Sequence, residues 1–325
     1  MTAAAAAASK KVIRVGTRGS RLAVAQTEIA LAALRRANPG VKFEIVTITT
    51  RGDVDRRPLF TMDEKGIFEK EVNEAVRKGE VDFAVHSLKD VPSDLSKDLV
   101  VACIPKRARP NDVLVNDKGL KLKELPPGAV VGTSSLRRAV QIVKARPDLK
   151  VRPIRGNVET RVKKVIAGEY DAVVLAEAGL GRIGMKDVIV ERFGVNSFVP
   201  APGQGAIAIV CRRDDKKTAA MLAKIEDARS RSEVAAERAL IEKIEGGCRF
   251  PLGAVAVSDR DGKTLTLHAS VFSSDGSKSI RVKKTGSAGA PEKLGAGVAG
   301  MLLKQGAGEL AQGWRQAVEE WNKKA

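Results

Sequence analysis

Three times within the first half of the chain an apolar, β-branched run leads straight into a helix start. Each time the joint is built from glycine, a hydroxyl or amide side chain, and arginine. The joints are Gly16-Thr17-Arg18-Gly19-Ser20, Gly132-Thr133-Ser134-Ser135-Leu136-Arg137-Arg138 and Arg155-Gly156-Asn157-Val158-Glu159-Thr160-Arg161. Repeated strand-then-helix units pack as an α/β fold, because each amphipathic helix must cover a sheet face. In an open sheet of that kind the joints face one crevice, outside the carboxyl ends of the strands. Helix N-termini offer unpaired N–H groups and a positive dipole end. Arginine adds planar donors that match carboxylates. One such joint reads as ordinary capping beside a solvated arginine; three together predict a cleft for a polyanion.

The rest of the pattern supports α/β. Val12–Val15, Phe43–Ile48, Asp82–Leu88 and Leu99–Ile104 read as strands, with helices after Ser20 and over Ile67–Arg77. After Arg109-Pro110 the alternation restarts, with strands at Asp112–Val115, Val130–Gly132, Val151–Ile154 and Ala172–Leu175. Pro200-Ala201-Pro202-Gly203-Gln204-Gly205 then breaks it, before a strand at Ala206–Cys211. The segments 105–110 and 199–203 read as two hinge crossings. The last third changes character. Helices over Lys216–Glu226 and Arg231–Glu245 precede strands at Ala254–Val257, Thr264–Val271 and Ser279–Lys284, and helices close the chain at Pro291–Leu303 and Gly308–Lys323. The expected division is a disordered tail over 1–11, an α/β domain 1 over 12–105 and 200–225, an α/β domain 2 over 106–199, and an α+β domain 3 over 226–325.

Composition narrows the function. Lys and Arg number 57 against 39 Asp and Glu, a net charge of +18, so an acidic partner is expected. Only 3% of residues are aromatic and none is interleaved with the basic joints, which favours a carboxylate-rich ligand over nucleic acid. No apolar run reaches membrane-spanning length. Three Cys without a CxxC pair and only two His predict no metal site. The Ala-rich start precedes its lysines, the reverse of a secretory signal, so a cytoplasmic protein is expected. Gly179-Leu180-Gly181-Arg182-Ile183-Gly184 fits the dinucleotide pattern literally, but no acid stands about 20 residues on, and it reads as a decoy.

Two further strings carry chemistry. In Val85-His86-Ser87-Leu88-Lys89-Asp90-Val91-Pro92, the proline holds Val91 extended and presents Lys89 and Asp90 at a strand end. An isolated Lys-Asp pair is usually a solvated surface pair; inside a cationic crevice it becomes a general acid–base candidate. His86 alternates inward and reads as a core residue. In Glu245-Gly246-Gly247-Cys248-Arg249-Phe250-Pro251, paired glycines expose a thiol beside an arginine that favours thiolate. The plainer alternative is a buried cysteine at a strand start, the reading given to Cys103 and Cys211.

These strings, with Lys65-Gly66-Ile67-Phe68, occur in the order and spacing of the porphobilinogen deaminase (hydroxymethylbilane synthase) family, which the chain resembles from about Val12 to its C-terminus. The resemblance implies two α/β domains like the type II domains of periplasmic binding proteins, plus the small α+β domain. It implies stepwise head-to-tail condensation of four porphobilinogen molecules with release of ammonia, giving hydroxymethylbilane for tetrapyrrole biosynthesis. The growing linear pyrrole chain would be primed on a dipyrromethane cofactor held by thioether to Cys248. Asp90 would be catalytic, assisting loss of the aminomethyl nitrogen. Lys89, Ser135, Arg137, Arg138 and Asp53 would bind the cofactor. Arg18, Ser20, Arg155, Asn157, Arg161, Arg182, Lys65, Phe68 and Gln204 would bind substrate, with Lys65 and Phe68 on a lid. A monomer without metal, membrane or specific nucleic-acid partner is expected. The competing expectation is a non-enzymatic binding protein for a polycarboxylate. Arg249-Phe250, the Ala-rich leader and Glu177 depart from the family pattern. Glu177 is expected either to pair with a cleft arginine or to weaken binding there.

Overall fold

The computed structural model describes residues 12–54, 69–244, 252–311 and 314. In chain order the first group of elements is β1 (Ile13–Arg18), α1 (Arg21–Ala37), β2 (Phe43–Ile48), α2 (Arg51–Val54), α3 (Lys70–Arg77), β3 (Phe83–Ser87) and β4 (Leu99–Cys103). The second is β5 (Asp112–Val115), β6 (Val130–Gly132), α4 (Leu136–Ala145), β7 (Lys150–Arg152), α5 (Val158–Ile166), β8 (Ala172–Ala176), α6 (Glu177–Arg182) and β9 (Ile189–Arg192). There follow β10 (Ile207–Arg212), α7 (Lys216–Ala223), α8 (Ala228–Ile244), β11 (Leu252–Ser258), β12 (Thr264–Phe272), β13 (Ser279–Ser287), α9 (Pro291–Lys304) and α10 (Ala307–Ala311).

Two mixed five-stranded sheets share one plan. The first runs β2-β1-β3-β10-β4, with β1, β2 and β3 parallel and β10 inserted antiparallel between β3 and β4. The second runs β7-β6-β8-β5-β9, with β5 inserted antiparallel between β8 and β9. Each inserted strand enters directly after one of the two crossings, so the chain visits the second sheet and returns to finish the first. Both faces of both sheets are covered, which is why their strands read as near-continuous apolar runs. In β3, Phe83 and Val85 pack with Leu31 and Leu34 of α1, while Ala84 packs with Val72 and Val76 of α3. In β8, Val174 joins Ile142 of α4, and Val173 and Leu175 join Val162 and Val165 of α5.

The third sheet, β11-β12-β13, is antiparallel, and α8 and α9 cover one face. Gly295 of α9 sits where a Cβ would collide with the Ala236 carbonyl of α8, so glycine sets how closely these helices approach.

Element boundaries differ from the sequence reading in ways that matter for the site. β1 continues to Arg18, paired with Ile48, rather than ending at Val15. β3 stops at Ser87, and Leu88–Asp90 form a 3-10 turn rather than the end of a strand. β9 was not expected at all. It is a four-residue edge strand that pairs with β5 alone among the described residues, too short to carry an alternation signal.

Candidate active site

The three Arg-rich joints do sit at strand ends that open into helices. Ser20 caps α1 by accepting from the Ala23 N–H at 3.3 Å, Ser135 caps α4 through the Arg138 N–H at 3.5 Å, and Asn157 caps α5 through the Thr160 N–H at 2.9 Å. Capping uses an acceptor lone pair in each case and leaves the side chain's own N–H or O–H to donate. The simple capping reading and the ligand reading are therefore compatible at these positions.

The turn after β3 presents the Lys-Asp pair. The Leu88 N–H donates to the Ala206 carbonyl at 3.0 Å, and the Val91 N–H closes back on the Leu88 carbonyl at 3.0 Å. Leu88 is buried beneath the turn, while Lys89 and Asp90 are exposed. Asp90 opens on a recess of about 420 Å³ whose walls include Arg18, Ser20, Gln26, Glu69 and His86. His86 is a core residue, as expected: its Nε2 lies 3.0 Å from Asn73 Oδ1 of α3. Burial, reinforced by the charge of Arg18, pushes the His86 pKa down to about 4.

Lys89 reaches open space yet is ringed by protein. Desolvation holds its pKa below the ordinary lysine value; Asp90 opposes that shift, Arg138 reinforces it, and, more weakly, Asp112 opposes it and Arg137 reinforces it. Arg161 is pushed down to about 10 by burial and by the charges of Arg138 and Arg155, and Arg182 to about 10 by burial. Both remain charged at neutral pH. Cations crowded closely enough to lower one another's pKa form a site that gains by receiving carboxylates.

Arg137, Arg138 and Gln204 face inward. Arg137 Nη1 donates to Asp112 Oδ2 and to the Val199 carbonyl, both at 2.7 Å. Arg138 donates through Nε to Asp112 Oδ1 at 2.9 Å and through Nη1 to the Val174 carbonyl at 3.1 Å. Gln204 is buried, with its amide nitrogen on Pro110 O at 2.6 Å and Asp112 Oδ1 at 2.9 Å. Its side-chain oxygen accepts from Arg138 Nη2 at 3.3 Å. The structure thus gives Gln204 a place within the crossing, away from any open surface. Arg182 bridges the two sheets, donating to Gln26 Oε1 of α1 at 2.7 Å and to the Gly205 carbonyl at 2.6 Å; the Ser87 hydroxyl donates to the same Gln26 oxygen at 2.8 Å.

Glu177 pairs with Arg192 of β9, which grips it with two bonds, and not with an arginine of the three joints. Gly179 and Gly181 lie inside α6 rather than in a phosphate loop. Cys103 and Cys211 are buried, and burial raises both thiol pKa values, Cys211 to about 11. Asp53 lies on α2, whereas Lys65, Phe68 and Cys248 fall outside the described residues. Sequence reasoning missed Asp112, Gln26 and the buried Arg107–Glu237 pair, joined at 2.7 Å. Their signals were faint: an acid opening the apolar run Asp112–Val115, and an acid on the apolar stripe of α8 beside Val234, Ala236 and Leu240.

Comparison with known proteins decides the family. The model described as porphobilinogen deaminase, dipyromethane cofactor binding domain, matches residues 13–220, and that of the C-terminal domain matches 232–304. The chain belongs to the porphobilinogen deaminase family. A probable porphobilinogen deaminase of Nitrosopumilus maritimus is 55% identical over 309 residues, covering 95% of this chain and 98% of the relative. The porphobilinogen deaminase of Roseiflexus castenholzii is 45% identical over 302 residues, covering 93% and 99%. Among solved structures, the periplasmic VFT2 domain of Bordetella pertussis BvgS aligns at 18% identity with a TM-score of 0.40, over 66% of this chain and 86% of that one. As a porphobilinogen deaminase, or hydroxymethylbilane synthase, the protein is a transferase of tetrapyrrole biosynthesis with a dipyrromethane-binding domain. The residues present fit such a group: the crowded cations Lys89, Arg155 and Arg161 suit a ligand rich in carboxylates. Among the described residues no cluster of His, Cys, Asp and Glu would hold a metal ion, and no helix is long and apolar enough to cross a membrane.

Proposed function

We propose that the cleft condenses four porphobilinogen molecules head to tail, releasing ammonia at each addition, and that one water then frees the product as hydroxymethylbilane, supplying its hydroxyl group. The observation that carries this reading is one exposed carboxylate, Asp90, standing beside Lys89 among crowded cations. When bound, dipyrromethane supplies the pyrrole terminus on which the chain is built. Cys248 holds it through a thioether, and Lys89, Ser135, Arg137, Arg138 and Asp53 meet its side chains. Arg18, Ser20, Arg155, Asn157, Arg161 and Arg182 receive the acetate and propionate groups of incoming and added units. The Asp90 carboxylate accepts hydrogen bonds from pyrrole N–H groups and stabilises positive charge as the aminomethyl nitrogen leaves. Lys65 and Phe68 bind substrate as well. Gln204 serves the site through its place in the crossing.

The domain division over 12–105 with 200–225, 106–199 and 226–325 belongs to the same proposal, as do a monomeric state, cytoplasmic placement, and the absence of metal and nucleic acid from the reaction. Intact mass of the denatured, active protein tests its core. An excess of two pyrrole units is expected, and Cys248→Ser should lose both the excess and turnover. An unmodified mass in fully active protein overturns it.

A further inference from the structure

One buried carboxylate gathers the groups that separate elements bring to the base of the site. Asp112 opens β5 and is wholly inaccessible. Its Oδ2 accepts from Arg137, and its Oδ1 accepts from Arg138 and from Gln204. The three donors come from two places. Arg137 and Arg138 stand in the first turn of α4, and Gln204 stands in the crossing that precedes β10. Arg137 is tied further to that crossing by the Val199 carbonyl, and Arg138 by Gln204 Oε1. Arg138 Nη1 also reaches the Val174 carbonyl of β8.

Two guanidiniums on adjacent residues repel, and each is a long side chain with considerable rotamer freedom. Held only by a ligand, they would have to be oriented and brought together at every binding event. Asp112 cancels one of the two charges and fixes both planes beforehand. Its own ionisation is secure: burial favours the neutral acid, but Arg137 and Arg138 overcome that and hold its pKa down to about 2. Arg137 spends only Nη1 on protein acceptors, so Nε and Nη2 are without a partner among the described residues. The unit therefore keeps donors in reserve while its geometry is set.

We propose that Asp112 is a positioning residue for the reaction, locking Arg137, Arg138 and Gln204 into one preset unit that joins the start of α4 to the interdomain crossing and readies the arginines for carboxylates. The proposal rests on the reading that Arg137 and Arg138 meet the carboxylates of bound dipyrromethane. Asp112 touches neither substrate nor cofactor and acts through its three partners.

Three variants of the full-length protein separate the possibilities: Asp112→Asn, Arg138→Gln, and the double variant Asp112→Asn with Gln204→Glu. The double variant returns a carboxylate to the unit at position 204, whose side-chain oxygen already accepts from Arg138 Nη2 at 3.3 Å. For each, the thermal midpoint, the fraction of molecules carrying two extra pyrrole units by intact mass, and kcat and KM per loaded molecule are measured. Asp112→Asn is expected to lower loading and to raise KM by about tenfold, with a smaller change in kcat. The double variant is expected to recover part of the loading, since a glutamate at position 204 restores a charge beside Arg138 but gives up the amide's bond to the Pro110 carbonyl. Asp112→Asn protein that loads fully with unchanged KM overturns the proposal, while impaired loading in Arg138→Gln keeps the underlying site reading intact. Full loading and unchanged KM in Arg138→Gln overturns that reading, and the proposal with it. Where Asp112→Asn does not fold, the double variant decides: a folded double variant that stays unloaded overturns the proposal.

Discussion

Asp90 and His86 stand four residues apart on one strand and its turn, and their opposite surroundings explain their opposite behaviour. The turn after Ser87 lifts Asp90 into open space, whereas β3 carries His86 into the packing between sheet and α3. Asp90→Asn keeps the shape and removes the charge, so kcat is expected to fall by about 10²- to 10⁴-fold with the fold unchanged; steady-state kinetics beside a melting curve check this. His86 makes a stability prediction. The unfolded imidazole takes a proton as pH falls through 6.5, while the folded one resists until about 4. Between those values the unfolded state binds the extra proton, so stability drops as pH falls, by about 3 kcal/mol over the window. His268, also lowered by partial burial, adds to the same trend. His86→Gln should flatten the fall of the melting temperature between pH 6.5 and 4.5; an unaltered slope would contradict the assignment. Asp112 is lowered too, so its contribution persists below that window and is lost only as pH falls from 3.8 through about 2. The inward place of His86 was legible from strand alternation. The role of Asp112 was not, because nothing in the sequence says that an acid at position 112 will meet arginines at 137 and 138.

At the scale of elements, caps and glycines carry the joints. Asn157 accepts from both the N–H and the hydroxyl of Thr160, so Asn157→Ala should cost about 1 kcal/mol of stability. It should also loosen the first turn of α5, from which Arg161 projects, and a denaturant titration beside KM measures both effects. Gly205 is held at φ +86°, and a Cβ there would run into the Ala108 carbonyl of the other crossing. Gly205→Ala is therefore expected to destabilise the protein by more than about 1 kcal/mol, with the melting midpoint as the check. The helix starts at Ser20, Ser135 and Asn157 were readable because capping is local chemistry. β9 was not, since a four-residue edge strand exists only where β5 is present to pair with it.

Across the whole molecule, the two large sheets are joined by side chains as well as by the crossings. Arg182 of α6 meets Gln26 of α1, and Arg21 of α1 donates to the Ile183 carbonyl at 3.0 Å and lies 3.5 Å from Glu159 of α5. The last of these pairs is partly exposed and contributes little by itself. Gln26 is the more consequential, because its one oxygen receives both Arg182 and the Ser87 hydroxyl next to the Lys-Asp turn. Gln26→Leu should leave each sheet folded but loosen the pair, seen as a larger radius of gyration in small-angle scattering and faster amide exchange in α6. An unchanged radius and exchange pattern would show that the crossings alone hold the two together.

By itself the sequence determined the class of fold, the restart of the pattern after each crossing, the three arginine-rich joints and the family, because each is written in residues close along the chain. Periodicity, capping and turn chemistry act over a few positions, and so do the motifs that carry the resemblance. Only the tertiary structure decided how the arginines divide. Arg161 joins the crowded cations beside Arg155, Arg182 bridges the sheets, and Arg137 and Arg138 turn inward to Asp112. All five looked alike as basic residues at helix starts or ends. They differ because a buried acid attracts whichever guanidiniums folding brings within reach, and that reach is set by packing, not by spacing along the chain.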